Sequence, residues 1–482
     1  MWTWYKILIF FYLTTEIWME KQFVSWRGMN LQAYSTGNFT NLERTRFRRA
    51  LYKGHYCRTR GCCEDRNDDC VTHFYEANAM CYCDKFCERE NSDCCPDYKF
   101  FCQEDNLYQK DGRHYEEGSV IKENCNDCTC SDQQWRCSQR VCLVRPELIE
   151  NVNTRDYGWT AHNYSQFWGM TLEEGYKFRL GTLPPSPTLL RMNEVTVTLP
   201  SKIDLPEFFI SSYKWPGWTH DPLDQKNCAA SWAFSTASVA ADRIAIQSNG
   251  RYTANLSPQN LISCCVKNRH GCKGGSIDKA WWYLRKRGLV SHACYPLFKD
   301  QIFNNNGCDM ASRSDGRGKR HATKPCPNSI EKSNRIYQCS PPYRYYNNLI
   351  LTNKIQHICL GKDHIVLHSF SLSIMLSTFL LAIMQVHEDF FHYKTGIYRH
   401  VNSIKDESEK YRNLSTHAVK LTGWGVLRGA QGRKEKFWIA ANSWGKSWGE
   451  NGYFRILRGV NESDIEKLII AAWGHLTSSD ES

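Results

Sequence analysis

Residues 232–247 carry the clearest amphipathic pattern in the chain. Their apolar side chains, among them Trp232, Phe234, Val239 and Ile246, follow a broadly helical spacing. This period predicts a helix with a buried face. The length of 482 residues and the hydrophobic content of 41% indicate a globular chain with room for two or three domains.

A second apolar pattern lies near the start of the chain. Lys6 precedes an apolar run from Ile7 to Leu13. The run predicts a signal peptide within residues 1–20. A short membrane anchor is the alternative, and it is disfavoured because Thr14, Thr15 and Glu16 interrupt the run.

Cysteines divide the chain into blocks. Of the 24 cysteines, fifteen lie between Cys57 and Cys142, and the other nine lie between Cys228 and Cys359. Chains kept in a reducing cytosol rarely carry so many cysteines, so we expect an exported protein with disulfides. The first block has little apolar material for a core, and cross-links must hold it together. The spacing leaves the disulfide connectivity open.

The first cysteine block resembles two known small modules. The tract 57–104 resembles a somatomedin B-like module, and 105–145 resembles a partial von Willebrand factor type C module. The cysteines that carry these resemblances are Cys81-x-Cys83, Cys87, the adjacent pair Cys94–Cys95 and Cys102 in the first, and Cys125-x-x-Cys128-x-Cys130, Cys137 and Cys142 in the second. A zinc site at the CxxC is an alternative, but disulfides are the better interpretation in an exported chain. We expect no metal and no cofactor.

The candidate chemistry lies in the segment DQKNCAASWAFSTASVAADRIAIQ, residues 224–247. The papain family has a glutamine, a disulfide cysteine three residues later, and then C-G-[SA]-C-[WY] with the second cysteine as the nucleophile. The segment resembles that pattern, with Gln225, Cys228 and Trp232 in place. Ser231 occupies the position of the nucleophilic cysteine.

Two downstream motifs complete the resemblance to the papain family. His417 lies in HAVKLTGWG, and Asn442 lies in NSWGKSWGENGYFRILRG beside Trp444. The resemblance implies that the asparagine orients the imidazole and that the tryptophan shields this hydrogen bond from water. It also implies a cleft wall that binds a substrate backbone at Gly274 and Gly275, and a disulfide between Cys228 and Cys272.

The resemblance extends over about residues 150–475. Residues 150–200 resemble the inhibitory pro-segment of cathepsin B-like proteases, and Pro184, Pro185 and Pro187 mark an extended linker in it. Residues 201–475 resemble the protease domain. The implied fold class is α+β, with a helical lobe and a β-barrel-like lobe behind small disulfide-rich modules.

Substitution of the nucleophile changes the expected chemistry. A papain-type cysteine attacks as a thiolate, because its pKa is lowered from about 8.5 toward about 3–4 beside a histidinium. A serine hydroxyl would need His417 as a general base, and Asn442 supplies no charge to stabilise the imidazolium. We therefore expect Ser231 to be inert. Residual or full peptidase activity is the alternative.

The stretch that corresponds to the occluding loop of cathepsin B, about 294–340, also departs from the family. It contains the single His321 and no histidine pair, so carboxydipeptidase activity is not expected. The stretch is instead basic, with Arg313, Arg317, Lys319, Arg320 and Lys324. A second basic run extends from Arg44 to Arg60, and the formal net charge is +11. Both runs are either solvated faces or surfaces for an acidic partner such as sulfated polysaccharide.

One apolar segment does not fit the family. Residues 365–386 could pass for a membrane span on hydropathy. A span there would separate Ser231 from His417, whose flanks otherwise form one domain. We therefore expect no membrane span, and we interpret the region 349–380 as the product of alternative splicing or of a mistaken gene model.

These observations predict a secreted matrix protein. The combination of the N-terminal cysteine modules with a papain-like domain that lacks its nucleophile resembles a family of basement-membrane glycoproteins. This resemblance implies adhesion to laminin and collagen, and to cells through integrins. Nucleic acid is excluded as a partner because the chain is expected outside the cell. The rival functions are a C1-type peptidase and a receptor-like polysaccharide-binding protein. The glycosylation sequons lie at Asn38, Asn163, Asn413 and Asn461.

Overall fold

The computed structural model describes residues 56–475 with gaps. The gaps are at 64, 74–79, 90–91, 103–106, 111–112, 117, 132–133, 195–205, 266–271, 298–306, 317–318, 347–378, 402–408, 410–415 and 429–433. The predicted signal peptide, Asn38, Asn413 and most of the first basic run lie outside the described residues. The chain forms two compact units, which divide between Glu117 and Gly118.

The first unit is held by disulfides around very short elements. Its helices are α1 (Cys57–Arg60) and α2 (Tyr98–Phe101), and its strands are β1 (Val71–His73), β2 (Met80–Tyr82), β3 (Leu107–Lys110) and β4 (Arg113–Glu116). The buried core consists of six cysteines and Tyr98. The disulfides are Cys57–Cys83, Cys62–Cys102, Cys63–Cys70, Cys81–Cys95 and Cys87–Cys94.

The second unit begins with a three-stranded antiparallel sheet. Its strands are β5 (Val120–Glu123), β6 (Asn126–Ser131) and β7 (Gln134–Cys137). The disulfides Cys125–Cys142 and Cys128–Cys137 hold this sheet. The side chain of Asn124 donates to the Val144 carbonyl at 2.8 Å and accepts from the Gly169 amide at 3.2 Å. The sheet is therefore continuous with the segment that follows, which the sequence assigns to the pro-segment.

That segment contains α3 (Pro146–Thr154), β8 (Trp159–Ala161), α4 (Leu172–Arg179), α5 (Pro187–Leu190) and β9 (Asn193–Glu194). Proline at the first position favours the start of α3, since its missing amide hydrogen is not needed there. A capping box between Thr171 and Glu174 fixes the start of α4. Both features fix where the helices begin.

The helical lobe contains β10 (Phe209–Ile210), α6 (Ser211–Lys214), α7 (Ser231–Gln247), α8 (Pro258–Cys264) and α9 (Ile277–Lys286). The structure has a helix where the sequence predicts one at 232–247, but almost all of its residues are buried, including Asp242 and Arg243. The reason is that α7 packs against α8 and α9 on one side and against the sheet on the other. A helix between two layers has no solvent face.

The sheet lobe follows a small hairpin of β11 (Ser312–Ser314) and β12 (Arg320–Ala322). Its own strands are β13 (Tyr343–Tyr346), β14 (Leu380–Met384), β15 (Tyr393–Tyr398), β16 (His417–Arg428), β17 (Lys434–Ala441), β18 (Tyr453–Leu457) and β19 (Leu468–Ala471). The strand order is β8-β15-β18-β17-β16-β14-β19-β13-β9, and β10 pairs with β16. Strand β8 of the pro-segment-like region is thus part of this sheet. The α+β class and papain-like fold are confirmed.

Most of the apolar segment at 349–380 is not described, but its end is. Phe379 and Leu380 are buried, and all five residues of β14 are buried in the sheet. No helix within the described ranges is long and apolar enough to cross a membrane.

Candidate functional site

The candidate site lies where the first turn of α7 meets β16. Ser231 is the first residue of α7 and is fully buried. The disulfide Cys228–Cys272 holds the preceding turn against the wall that carries Gly274 and Gly275. The backbone amide of Gln225 donates to the Ser443 carbonyl at 2.8 Å, which ties this turn to the loop after β17.

Ser231 is engaged by the chain's own pro-segment-like region. Its hydroxyl lies 2.8 Å from the hydroxyl of Thr182 and accepts weakly from the Ala418 amide at 3.4 Å. Its backbone amide donates to the Leu180 carbonyl at 3.2 Å. The side chain that a nucleophile would use is therefore held by Thr182.

Residues 180–183, which we call the cleft strap, run along the cleft as an added strand. Thr182 exchanges two backbone hydrogen bonds with Thr416, at 3.1 Å and 2.7 Å. On the other side, the Gly275 amide donates to the Gly181 carbonyl at 2.9 Å, and the Leu183 amide donates to the Gly275 carbonyl at 3.0 Å. The strap therefore uses the backbone groups that a bound peptide would use.

Gly181 allows this close approach. Its φ of +107° lies in a region that favours glycine, and a Cβ there would overlap the backbone carbonyl group of Ala229. Any larger residue at 181 would push the strap away from the first turn of α7.

The amide group of Gln225 faces the strap as well. Its Nε2 donates to the carbonyls of Arg179 at 3.0 Å, Leu180 at 3.2 Å and Cys228 at 2.8 Å. The Leu180 carbonyl thus has two donors nearby, Gln225 Nε2 and the Ser231 amide. This is the arrangement of an oxyanion hole, and a carbonyl of the strap occupies it.

His417 lies at the start of β16 and points into the same buried region. Its Nε2 lies 2.7 Å from Asn442 Oδ1, while its Nδ1 is buried without a hydrogen-bond partner among the described residues. Burial lowers the pKa of His417 to about 4, although the hydrogen bond to Asn442 opposes this shift. The imidazole is therefore neutral at physiological pH.

Trp444 covers the histidine. Its ring centroid lies 5.0 Å from that of His417, and its Nε1 donates to the Arg179 carbonyl at 2.7 Å. Trp444 also stacks against Phe391 and is fully buried. The pro-segment-like region and the tryptophan together exclude water from the His417–Asn442 pair.

A buried charge network supports α7 from below. Asp242 accepts from Lys420 Nζ at 2.6 Å and lies 2.5 Å from His220 Nδ1. Asp242 is fully buried and Lys420 nearly so. The network links α7 to β16, and so holds Ser231 and His417 on elements that cannot shift independently.

The other predicted site residues lie in several places. Asn163 is exposed on the pro-segment-like region. Asn461 has a left-handed backbone, and its side chain bonds to Asp464 and to the Glu466 amide. His321 is exposed on β12, 3.9 Å from Asp315.

Cys125 and Cys128 of the CxxC motif, for which a zinc site is the alternative interpretation, form disulfides with Cys142 and Cys137. Glu123 lies near Cys128 and Cys137, but the bond between these two sulfurs leaves no thiolate ligand. The three cysteines that cluster in the first unit, Cys57, Cys83 and Cys95, are likewise disulfide-bonded. Neither group fits a metal ion.

Sequence reasoning missed the strap residues as part of the site. Leu180, Gly181 and Thr182 are buried in the cleft, and Thr416 pairs with them one residue before His417. A signal was present, because Gly181 comes shortly after α4 and precedes the proline linker. That position fits a segment that passes close to another backbone.

Comparisons with known proteins agree with this architecture. The family described as papain family cysteine protease matches residues 216–473. The tubulointerstitial nephritis antigen of Homo sapiens is 75% identical over 493 aligned residues that cover 100% of both chains. The tubulointerstitial nephritis antigen-like protein of Homo sapiens is 46% identical over 440 residues, 89% of this chain and 90% of that one.

Proteases are more distant relatives. A cathepsin B-like cysteine proteinase of Schistosoma japonicum is 30% identical over 352 residues, 70% of this chain and 92% of its own. The solved structure of procathepsin B S9 from Trypanosoma congolense has a TM-score of 0.53 and 27% identity, and covers 69% of this chain and 99% of that chain. The predicted resemblance is confirmed: this chain belongs to the papain family of cysteine proteases, and it is similar over its whole length to tubulointerstitial nephritis antigens.

Proposed function

We propose that this chain is a secreted glycoprotein of the extracellular matrix, in particular of basement membranes, and that its protease-like domain does not hydrolyse peptides. The observation that carries the proposal is the state of Ser231. A serine stands in the nucleophile position, and its hydroxyl is hydrogen-bonded to Thr182 of the chain's own strap. The fold then serves as a scaffold for adhesion.

Three features of the site argue against hydrolysis. Serine requires a general base that gains a charge, yet burial keeps the pKa of His417 at about 4. Asn442 is neutral and cannot stabilise an imidazolium as a carboxylate would. The donors that would stabilise a tetrahedral intermediate already bind the Leu180 carbonyl.

The matrix assignment has separate support. Ten disulfides join described residues, as is typical of proteins exported to oxidising environments. Full-length similarity to tubulointerstitial nephritis antigens favours the same tissue-matrix setting. The expected partners are laminin, collagen and cell-surface integrins, with sulfated polysaccharide as an acidic partner.

The rival function is a C1-type peptidase. Retention of the His417–Asn442 hydrogen bond and of Gln225 in the cleft favours it. Purified full-length protein should bind immobilised laminin or collagen and should show no turnover of cathepsin peptide substrates. Turnover that is abolished in Ser231→Ala would overturn the non-catalytic proposal, while absence of binding to every matrix component would overturn adhesion.

A thiol-directed reagent can distinguish two causes of inactivity. One is the missing cysteine sulfur, and the other is coverage of residue 231 by the strap. We expect Ser231→Cys to react slowly with a thiol-directed epoxide, because the strap covers residue 231. Ser231→Cys with Gly181→Val should react at least about tenfold faster, since the added side chain displaces the strap from Ala229. Equal, fast labelling of both variants would show that the strap does not close the cleft. The matched control, Ser231→Cys with Gly316→Val, alters a glycine with open space around it.

A further inference from the structure

A turn that follows the β11–β12 hairpin carries a serine at its tip. We call residues 328–331 the acceptor turn. Its base is fixed by Asn328, whose amide donates to the Cys294 carbonyl at 3.1 Å, and by the disulfide Cys294–Cys326. The Glu331 amide donates to the Asn328 carbonyl at 3.1 Å and closes the turn. The acceptor turn is therefore held at a defined place on the surface.

The tip of the acceptor turn is accessible to a second protein. Ser329 is exposed, and the next residue, Ile330, is 87% exposed, so no side chain packs over the tip. Ser329 makes no hydrogen bond, from its backbone or its hydroxyl, to any other residue that the structure describes. The turn can extend by opening two hydrogen bonds, which the amides of Ile330 and Glu331 donate to Asn328. An enzyme can therefore reach the Ser329 hydroxyl in the folded protein.

Glu331 gives this serine a specific sequence pattern. It stands two residues after Ser329, and no other serine in the described ranges has a glutamate at that spacing. The full sequence repeats the pattern once, at Ser479. Kinases of the secretory pathway select a serine with a glutamate two positions later, because a basic pocket of the kinase pairs with the carboxylate. The side chain of Glu331 is partly exposed and can supply that carboxylate.

The residues around the acceptor turn favour an added negative charge. Lys324 precedes the turn and Lys332 follows it, and both are exposed. Asn334 Nδ2 donates to the Lys324 carbonyl at 3.2 Å, which brings the two ends of the segment together. A phosphoserine carries about −1.5 to −2 charges at pH 7, and lysine side chains can pair with it. Glu331 is the single carboxylate in residues 321–335, so a phosphate here meets little like charge from its own segment.

We propose that Ser329 is a phosphorylation site for a secretory-pathway kinase that recognises Ser-x-Glu. In this reaction the Ser329 hydroxyl oxygen bonds to the γ-phosphorus of ATP, and the bond from that phosphorus to the bridging oxygen of ADP breaks. The hydroxyl proton passes to a base of the kinase, and ADP leaves. The inference rests on the proposed export of the chain, since only an exported chain meets such a kinase. The site lies outside the cleft and outside the N-terminal modules.

The first test maps phosphate by mass spectrometry on full-length protein secreted by cultured cells. Phosphate should be found on Ser329 and should be lost in Glu331→Gln. This variant removes the charge but keeps a side-chain oxygen that can accept from the Ser333 amide, as Glu331 Oε1 does at 2.7 Å. The matched control Ser333→Ala alters an exposed serine nearby that lacks the pattern, and it should keep the phosphate. Phosphate on Ser329 that persists in Glu331→Gln would overturn recognition through Ser-x-Glu.

A second test separates this site from the proposed function. Purified full-length protein carrying Ser479→Ala, with its native fold checked by tryptophan fluorescence, is incubated with a purified Ser-x-Glu kinase and labelled ATP. Label should appear on Ser329 and should be absent in Ser329→Ala. Retention of the chain inside cells would contradict the proposed export, while labelling of the purified protein would still support the site. Natively folded protein that takes up no label on Ser329 would overturn the site wherever the chain resides.

Discussion

The two units of this protein are stabilised by different means. The first unit buries six cysteines and Tyr98, and five disulfides join its described residues between Cys57 and Cys102. Five disulfides also join described residues of the second unit, but its cores contain buried tryptophans such as Trp232, Trp281 and Trp438. Small modules bury too little surface for a core, so covalent bonds replace it. The second unit is large enough to depend on packing.

Treatment with a reducing agent tests this difference between the two units most directly. Loss of one native disulfide from a small secreted domain costs about 2–5 kcal/mol, which is comparable with the whole stability of such a domain. Mild reduction should therefore unfold residues 57–102 before it unfolds the protease-like domain. Hydrogen exchange along a reductant titration measures the order.

The stretch 118–142 decides where the division lies. In the structure, residues 118–142 belong to the second unit. The sequence assigns them to the N-terminal modules, and that domain boundary stays a prediction. If residues 118–142 stay protected from hydrogen exchange after residues 57–102 have unfolded, the result favours a division at residue 117. Simultaneous loss of protection throughout the chain would contradict the comparison itself.

The buried ion pair between Asp242 and Lys420 tests how far the second unit depends on its packed interior. Asp242→Asn leaves Lys420 buried without its carboxylate, and breaking a buried pair costs about 3–5 kcal/mol. Urea unfolding of the second unit, followed by tryptophan fluorescence, should show this loss. Asp221→Asn removes a carboxylate from an exposed pair with Lys446 and should cost less than about 1 kcal/mol. Equal losses would mean that Asp242 is not buried as described.

Acid acts on the second unit gradually, over a range of pH. Burial lowers the pKa values of His392 and His417 from 6.5 to about 4, so both stay neutral in the folded protein while the unfolded chain takes up protons. Their contribution is complete above pH 6.5 and is lost as the pH falls toward 4, by up to about 1.4 kcal/mol per pH unit for each histidine. Urea midpoints of the second unit between pH 7 and 4.5 measure the slope.

Substitutions of single histidines show which residues cause this dependence of stability on pH. His392→Gln should flatten it, because the ring bonds to the Leu143 carbonyl in a fully buried position. His321→Gln changes an exposed histidine and should leave it unchanged. A slope that does not respond to His392→Gln or to His417→Gln would contradict the neutral, buried assignment. The described core of the first unit contains no histidine, so its stability should vary little over this range.

Sequence motifs predicted the protease-like domain well because each of its key residues has a local signature. Gln225 and Ser231 lie in one segment, and His417 and Asn442 lie in two others. Family resemblance brings these segments together, and the structure places the four side chains in one buried cleft. Spacing alone could not give the ten disulfide pairs, since pairing depends on which backbones approach in three dimensions.

Apart from Gly181, residue types carry no signal for the strap. The role of residues 180–182 comes from the backbones of Thr416 and Gly275 on either side. Burial of α7 on all sides was missed for a similar reason. The pattern of α7 shows where apolar residues lie, but the layers that cover its polar residues come from distant parts of the chain.

The cleft strap also determines how free peptides compete for the cleft. A ligand joined to its site by a short tether acts at an effective concentration on the order of millimolar, whatever the concentration of protein. Residues 180–183 are joined to the cleft through α4 on one side and the following linker on the other. A free peptide must displace this internal competitor before it binds at Gly275 and Thr416. Weak peptide ligands are thereby excluded from the cleft.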